Sequence, residues 1–142
     1  MRLFIAMLLT LSLPLSAKLG DLQIDNAQIR QPMPGRSVTA GYFTLHNTTS
    51  ETLELTGVTS QAFKRIELHQ HTHKDGMMRM EQLQQITIAA KSAVVLAPGG
   101  LHLMLFDPVT ATDIGQHITL ELHFANGQSL QASFPIVAMP KR

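Results

Sequence analysis

Three features of the sequence predict an all-β domain, an antiparallel β-sandwich or barrel. Apolar and polar residues alternate with a period of two over most of the chain, and the helical period is nearly absent. The alternating runs are short, eight or nine of them, with turn-rich links between. One link, Asn126-Gly127, lies between two such runs, the pattern of a hairpin whose two turn residues take positive φ.

Leu22 to Arg30 is the first expected strand. Gln31-Pro32-Met33-Pro34-Gly35 follows as a loop, because two prolines break any ladder. Thr39 to His46 is the second strand, closed by Asn47-Thr48-Thr49-Ser50, and Thr52 to Val58 is the third. Lys64 to Thr72 places Ile66 and Leu68 on one face and Glu67, His69 and His71 on the other. Lys74-Asp75-Gly76 reads as a turn, and Met77 to Leu83 returns as the partner strand. Ala93 to Leu96 is short and ends at Pro98-Gly99-Gly100; Leu101 to Phe106 then turns Leu101, Leu103 and Leu105 to one side. Gln116 to Phe124 and Gln128 to Ile136 flank the Asn-Gly turn. The alternation nominates Ile24, Phe43, Leu45, Ile66, Leu68, Leu103, Leu105, Leu120, Leu122, Phe124 and Phe134 for the core.

Composition bounds the function. The 142 residues suffice for one domain with a real core, and 44% hydrophobic against 15% charged is a globular balance. A formal charge of +1 marks neither a nucleic-acid binder nor a protein drawn to acidic membranes. Residues 1–17 read as a cleavable secretory signal: Arg2 supplies the positive start, Leu3 to Leu13 the apolar stretch, and Leu15-Ser16-Ala17 the cut site. That apolar stretch is too short to span a bilayer, and no later run reaches spanning length, so no stable membrane anchor is expected. Residues 18–142 then form a single exported domain. There is no cysteine, so no disulfide can brace it and stability must come from packing.

The same absence gives meaning to a second pattern. His69 and Met80 are followed by His102 and Met104, two imidazoles and two thioethers with no thiolate to compete. Such a soft, neutral set favours Cu(I) among the first-row ions. Zinc usually brings Cys or a carboxylate, calcium and magnesium want oxygen, and a blue-copper carrier wants Cys beside its His pair. Residues i and i+2 of a strand share a face, so His102 and Met104 converge on the side away from Leu101, Leu103 and Leu105. His69 lies opposite Leu68 by the same rule. Met80 reaches them through the reversal at Asp75-Gly76. The expected site is therefore open and faces away from the core. His71 and His73 read as a solvated strand end, Met77 and Met78 as gap-filling methionines, and His46, His117 and His123 as surface or structural histidines. No Ser-His-Asp order, phosphate loop or carboxylate pair points to an enzyme.

The spacing of His69, Met80, His102 and Met104 resembles that of the periplasmic copper chaperone family PCu(A)C. Met78-Arg79-Met80, Pro98-Gly99-Gly100-Leu101-His102-Leu103-Met104 and Gly41-Tyr42-Phe43-Thr44-Leu45-His46-Asn47 are similar to that family's segments. The resemblance covers roughly residues 22 to 137. It implies a cupredoxin-like β-barrel that binds one Cu(I) and passes it on in the periplasm. It implies as recipient the Cu(A) centre of cytochrome c oxidase or a Sco-like protein. The His- and Met-rich tail of some members is missing, since the chain ends Ala138-Met139-Pro140-Lys141-Arg142. A copper-sequestering resistance protein, and a β-sandwich interaction module without metal, are the alternative readings.

Overall fold

The computed structural model describes residues 22–141, so the expected signal segment lies outside the described residues. Ten strands make up the regular structure: β1 (Leu22–Arg30), β2 (Val38–Asn47), β3 (Leu53–Thr59), β4 (Phe63–Lys74), β5 (Met77–Leu83), β6 (Ile86–Ile88), β7 (Ser92–Leu96), β8 (Leu101–Pro108), β9 (His117–Phe124) and β10 (Ser129–Val137). No helix among the described residues is long and apolar enough to cross a membrane. The strands pair in the order β5-β4-β8-β2-β1-β10-β9-β3-β6, with β7 added to β2.

Alternation decides which side of each strand is buried. Phe43 and Leu45 of β2, Leu68 of β4, Leu103 and Leu105 of β8, Leu120 and Leu122 of β9 and Phe134 of β10 fill one continuous core. The sheet curls so that Phe43 and Phe134 meet edge to face, with ring centres 5.6 Å apart. Such a pair is worth about 1 kcal/mol beyond its burial. Ile24 and Ile66 lie at the margin, packed against the core yet only partly buried. Ile29, Leu55, Ile88 and Ile136 are buried core residues beyond the expected set.

The strands arise where the alternation predicts them, with three departures. β6 is three residues long, too short for a period to show, and pairs with β3 through Leu53–Ile88 and Leu55–Ile86. β1 is antiparallel to β2 but runs parallel to β10. Within its pairing with β2, between Asp25 and Gln28, it carries a bulge, where Asn26 takes a φ of 53° and two residues oppose one of β2. The third departure is the Asn126-Gly127 turn. Only Gly127 has positive φ, at 87°. Its N–H donates to the Phe124 carbonyl and the Phe124 N–H to the Gln128 carbonyl, which makes a three-residue loop. The two-residue turn with paired positive φ occurs instead at Asp75 (53°) and Gly76 (74°), which joins β4 to β5.

Asn47 ties the end of β2 to the loop before β7. It is 1% exposed. Its Nδ2 donates to the carbonyls of Glu51, Ile88 and Ala89, and its Oδ1 accepts from the Thr49 N–H and hydroxyl. Asn47→Ala strands these groups in the interior and should cost about 2–3 kcal/mol. Urea unfolding should show a lower midpoint with an unchanged slope; an unchanged midpoint would mean water replaces the amide without loss.

Candidate metal centre

Strands β5, β4 and β8 lie side by side with β4 in the middle. On β4 and β8 the register sets His69 opposite His102 and Glu67 opposite Met104. On β4 and β5 it sets His71 opposite Met80 and His73 opposite Met78. Paired residues share a face. His69 therefore has His102 directly across, with Met104 and Met80 at the two diagonals. The face is the one turned away from Leu68, Leu103 and Leu105.

That face is less open than the alternation implies. His102 is 2% exposed and the His69 side chain 13%, while Met104 is half-buried and Met80 is 48% exposed. The cover over His102 is His71, whose ring stacks on it at 4.8 Å between centres. An expected strand end in water is thus a lid on the deepest imidazole. The structure brings His69 and His102 together, with ring centres 5.8 Å apart, and leaves Met80 on the solvent side.

Each buried imidazole has one nitrogen fixed and one bare. The Glu67 carboxylate lies 2.7 Å from His69 Nε2 and can only accept, so Nε2 carries the proton and Nδ1 the lone pair. Arg65 holds that carboxylate from its other side, Nε to Oε1 at 3.0 Å, and lies over the Phe106 ring. The Gly100 carbonyl lies 3.0 Å from His102 Nδ1, so that nitrogen donates and Nε2 is bare. His69 Nδ1 and His102 Nε2 are two of the three buried side-chain polar atoms without a partner among the described residues. Metal-binding imidazoles are oriented in this way, by a carboxylate or carbonyl on the second nitrogen. Two imidazoles that share an ion through bonds of about 2 Å stand with ring centres about 5 Å apart at a tetrahedral angle and about 6 Å apart at a wide one.

Among the described residues, no three His, Asp or Glu side chains are placed to hold a metal ion. Two nitrogens here would need thioethers to complete a ligand set, and Met104 and Met80 flank His69 in the register. The role of Glu67 is set by its position two residues before His69 on the same face. The other histidines lie elsewhere: His46 with Asp25, His117 with Ser133, and His123 with Thr59. Met33 and Met139 are exposed in loop and terminus.

The architecture and this face define a small β domain of cupredoxin type. A family model described as "Putative lipoprotein LpqE-like" matches residues 22–136, and the chain belongs to that family. A relative, "Putative lipoprotein Lxx21020" of Leifsonia xyli subsp. xyli, is 32% identical over 128 residues, covering 87% of this chain and 77% of that protein. The copper-bound PCuAC domain from PmoF2 superposes with a TM-score of 0.70 at 22% identity, over 84% of this chain and 95% of that one. The solution structure of CuI-DR1885 from Deinococcus radiodurans gives 0.64 at 25% identity, over 78% and 74%. The resemblance to PCu(A)C proteins, and the cupredoxin-like fold it implied, are borne out.

Burial drives the His102 pKa below its ordinary value; the Gly100 carbonyl opposes this, and His71 and His69 add to it. The unfolded side chain titrates near its ordinary value of about 6.5. Above that pH both states are neutral and the contribution to stability is full. Below it the unfolded chain takes up the proton first, so stability falls until the folded pKa is passed. Thermal melts of the metal-free protein should be level from pH 8 to 7 and fall towards pH 5. In His102→Gln the fall should be shallower; an equal fall would place the sensitivity in other groups.

Proposed function

We propose that this protein is a periplasmic copper metallochaperone. It binds one Cu(I) through His69, Met80, His102 and Met104 and passes it to a partner, the Cu(A) centre of cytochrome c oxidase or a Sco-like protein. The observation that carries this reading is the pair of bare, buried nitrogens, His69 Nδ1 and His102 Nε2, on facing positions of β4 and β8. Membership of a family whose fold is shared by copper-bound domains supports it.

The work of such a site is binding and exchange, not catalysis. Neutral imidazole and thioether leave Cu(I) its single positive charge, and neither needs to lose a proton at neutral pH. His69 and His102 supply a rigid, buried half. Met80, half in solvent, supplies the half that a recipient's ligand displaces first. The family description includes lipoproteins, but these 142 residues contain no thiol for a cysteine-linked lipid.

X-ray absorption of the copper-loaded protein tests the ligand set, with two nitrogen and two sulfur neighbours and monovalent copper expected. A nitrogen-and-oxygen shell would refute it. In anaerobic Cu(I) competition, Glu67→Ala should lower affinity about 10–100-fold by freeing the His69 ring. His102→Ala should cost more, and the remote His117→Ala nothing. Transfer of the metal to an apo Cu(A) domain would separate delivery from sequestration.

A further inference from the structure

The β4–β5 hairpin carries a second set of soft donors beyond the four residues of the proposed site. The tight turn at Asp75-Gly76 fixes the register, so His73 faces Met78 and His71 faces Met80. All four side chains lie on the same sheet face as His69 and His102, because they are spaced by two along each strand. In a two-residue hairpin the pair next to the turn, Lys74–Met77, exchanges hydrogen bonds. His73–Met78 and His71–Met80 then both fall at the closer, non-hydrogen-bonded positions.

These methionines are not core fillers. Met78 is 62% exposed and Met80 48%, and β5 is the outermost strand of the sheet. Among the described residues, no hydrogen bond or ion pair engages the ring nitrogens of His71 or His73. The acidic residue nearest in β5, Glu81, is paired with Gln70 and lies on the opposite face. The hairpin tip therefore offers neutral nitrogen and sulfur donors and no carboxylate on that face, which suits Cu(I) and not a hard ion.

We propose that His71, His73 and Met78 form a second Cu(I) site, on the solvent side of the hairpin and adjoining the first at Met80. It rests on the reading that this sheet face binds Cu(I). An ion taken up between His73 and Met78 is one residue pair from His71 and Met80, and His71 is stacked directly on His102. The ladder of donors runs from water at the turn to the buried imidazoles. Copper enters and leaves along it by ligand exchange, with no change of oxidation state. The same set makes the second site weaker than the first, because no carbonyl or carboxylate orients its rings.

The test is anaerobic titration of the intact protein with Cu(I) against a chromophoric chelator, read alongside the 13C-methyl signals of the methionines. The wild type should take up two equivalents, one tight and one weak, and the Met78 methyl should shift only with the second. His73→Ala combined with Met78→Ala changes two exposed side chains; it should abolish the weak equivalent and leave the tight one unaltered. His102→Ala should lose the tight equivalent and keep the weak one. One equivalent in both wild type and double variant, with the Met78 methyl unmoved, overturns the second site and leaves the first intact. No uptake by either protein overturns both.

Discussion

The Gly100 carbonyl accepts two hydrogen bonds, one from His102 Nδ1 at 3.0 Å and one from the His71 backbone N–H at 3.2 Å. Much of the candidate site's geometry depends on this one oxygen. Through the first bond it selects the His102 tautomer and aims Nε2 away from the backbone. Through the second it fixes where β4 passes β8, and so which residues face each other. Its own direction comes from the turn before it. Pro98 and Gly99 occupy the central positions, Gly99 at a φ of +83°, and the Gly100 N–H closes the turn on the Ala97 carbonyl at 3.1 Å. Pro followed by Gly at positive φ is a type II turn, and a side chain at the glycine position would be strained. Pro98-Gly99-Gly100 thus does more than end a strand: it sets the proton position on a ring two residues later.

The arrangement is costly for the metal-free protein. A buried donor or acceptor without a partner loses about 1–3 kcal/mol relative to water, and this face holds two such nitrogens on facing residues. Packing elsewhere offsets that loss; Leu103 and Leu105, on the other side of the same strand, are completely buried. β8 therefore joins the best-packed positions of the core to the least satisfied atoms of the surface, in alternation. The unsatisfied nitrogens cannot relax by moving the strand without opening the core. On the proposed reading, an ion bound by both nitrogens would recover what the fold has left unpaired; the His71 ring is stacked on His102.

The sequence shows some of this directly and some not at all. The β4–β5 hairpin is legible because Asp75-Gly76 can take a turn that few other pairs can, and the turn then dictates every pairing outward from Lys74–Met77. The faces of β4 and β8 are legible because period two is unambiguous when leucines mark one side. The parallel contact of β1 with β10 is not, since it joins residues more than a hundred positions apart. The Asn126-Gly127 turn misleads because the same dipeptide fits a three-residue loop in which Asn126 stays at negative φ and its side chain accepts from the Gln128 N–H. The burial of His102 is illegible for a further reason. Alternation gives the side of the sheet, not what lies over it, and the His71 ring stacks on this outward position. Glu67 shows its i, i+2 relation to His69 in the sequence, but its choice of the ring over solvent depends on Arg65 gripping its other oxygen.

Burial and exposure divide the face into two regimes, and a Cu(I) carrier of the kind proposed would need both. His69 and His102 are tied at one nitrogen each and screened from solvent, so an ion bound there as proposed would gain from preorganised donors in a low-dielectric setting. Such a site alone would exchange slowly, because every incoming ligand must first displace the cover. In the proposed site Met80 would remove that obstacle. It stands on the edge strand, half in water, on a flexible and unbranched side chain that could leave a bound ion without disturbing the sheet. A soft ligand approaching from β5 meets this thioether before it meets either imidazole. In the proposed site, release would begin at the exposed donor and end at the buried pair, so tight holding and ready hand-over would be properties of different strands rather than opposing demands on one set of atoms.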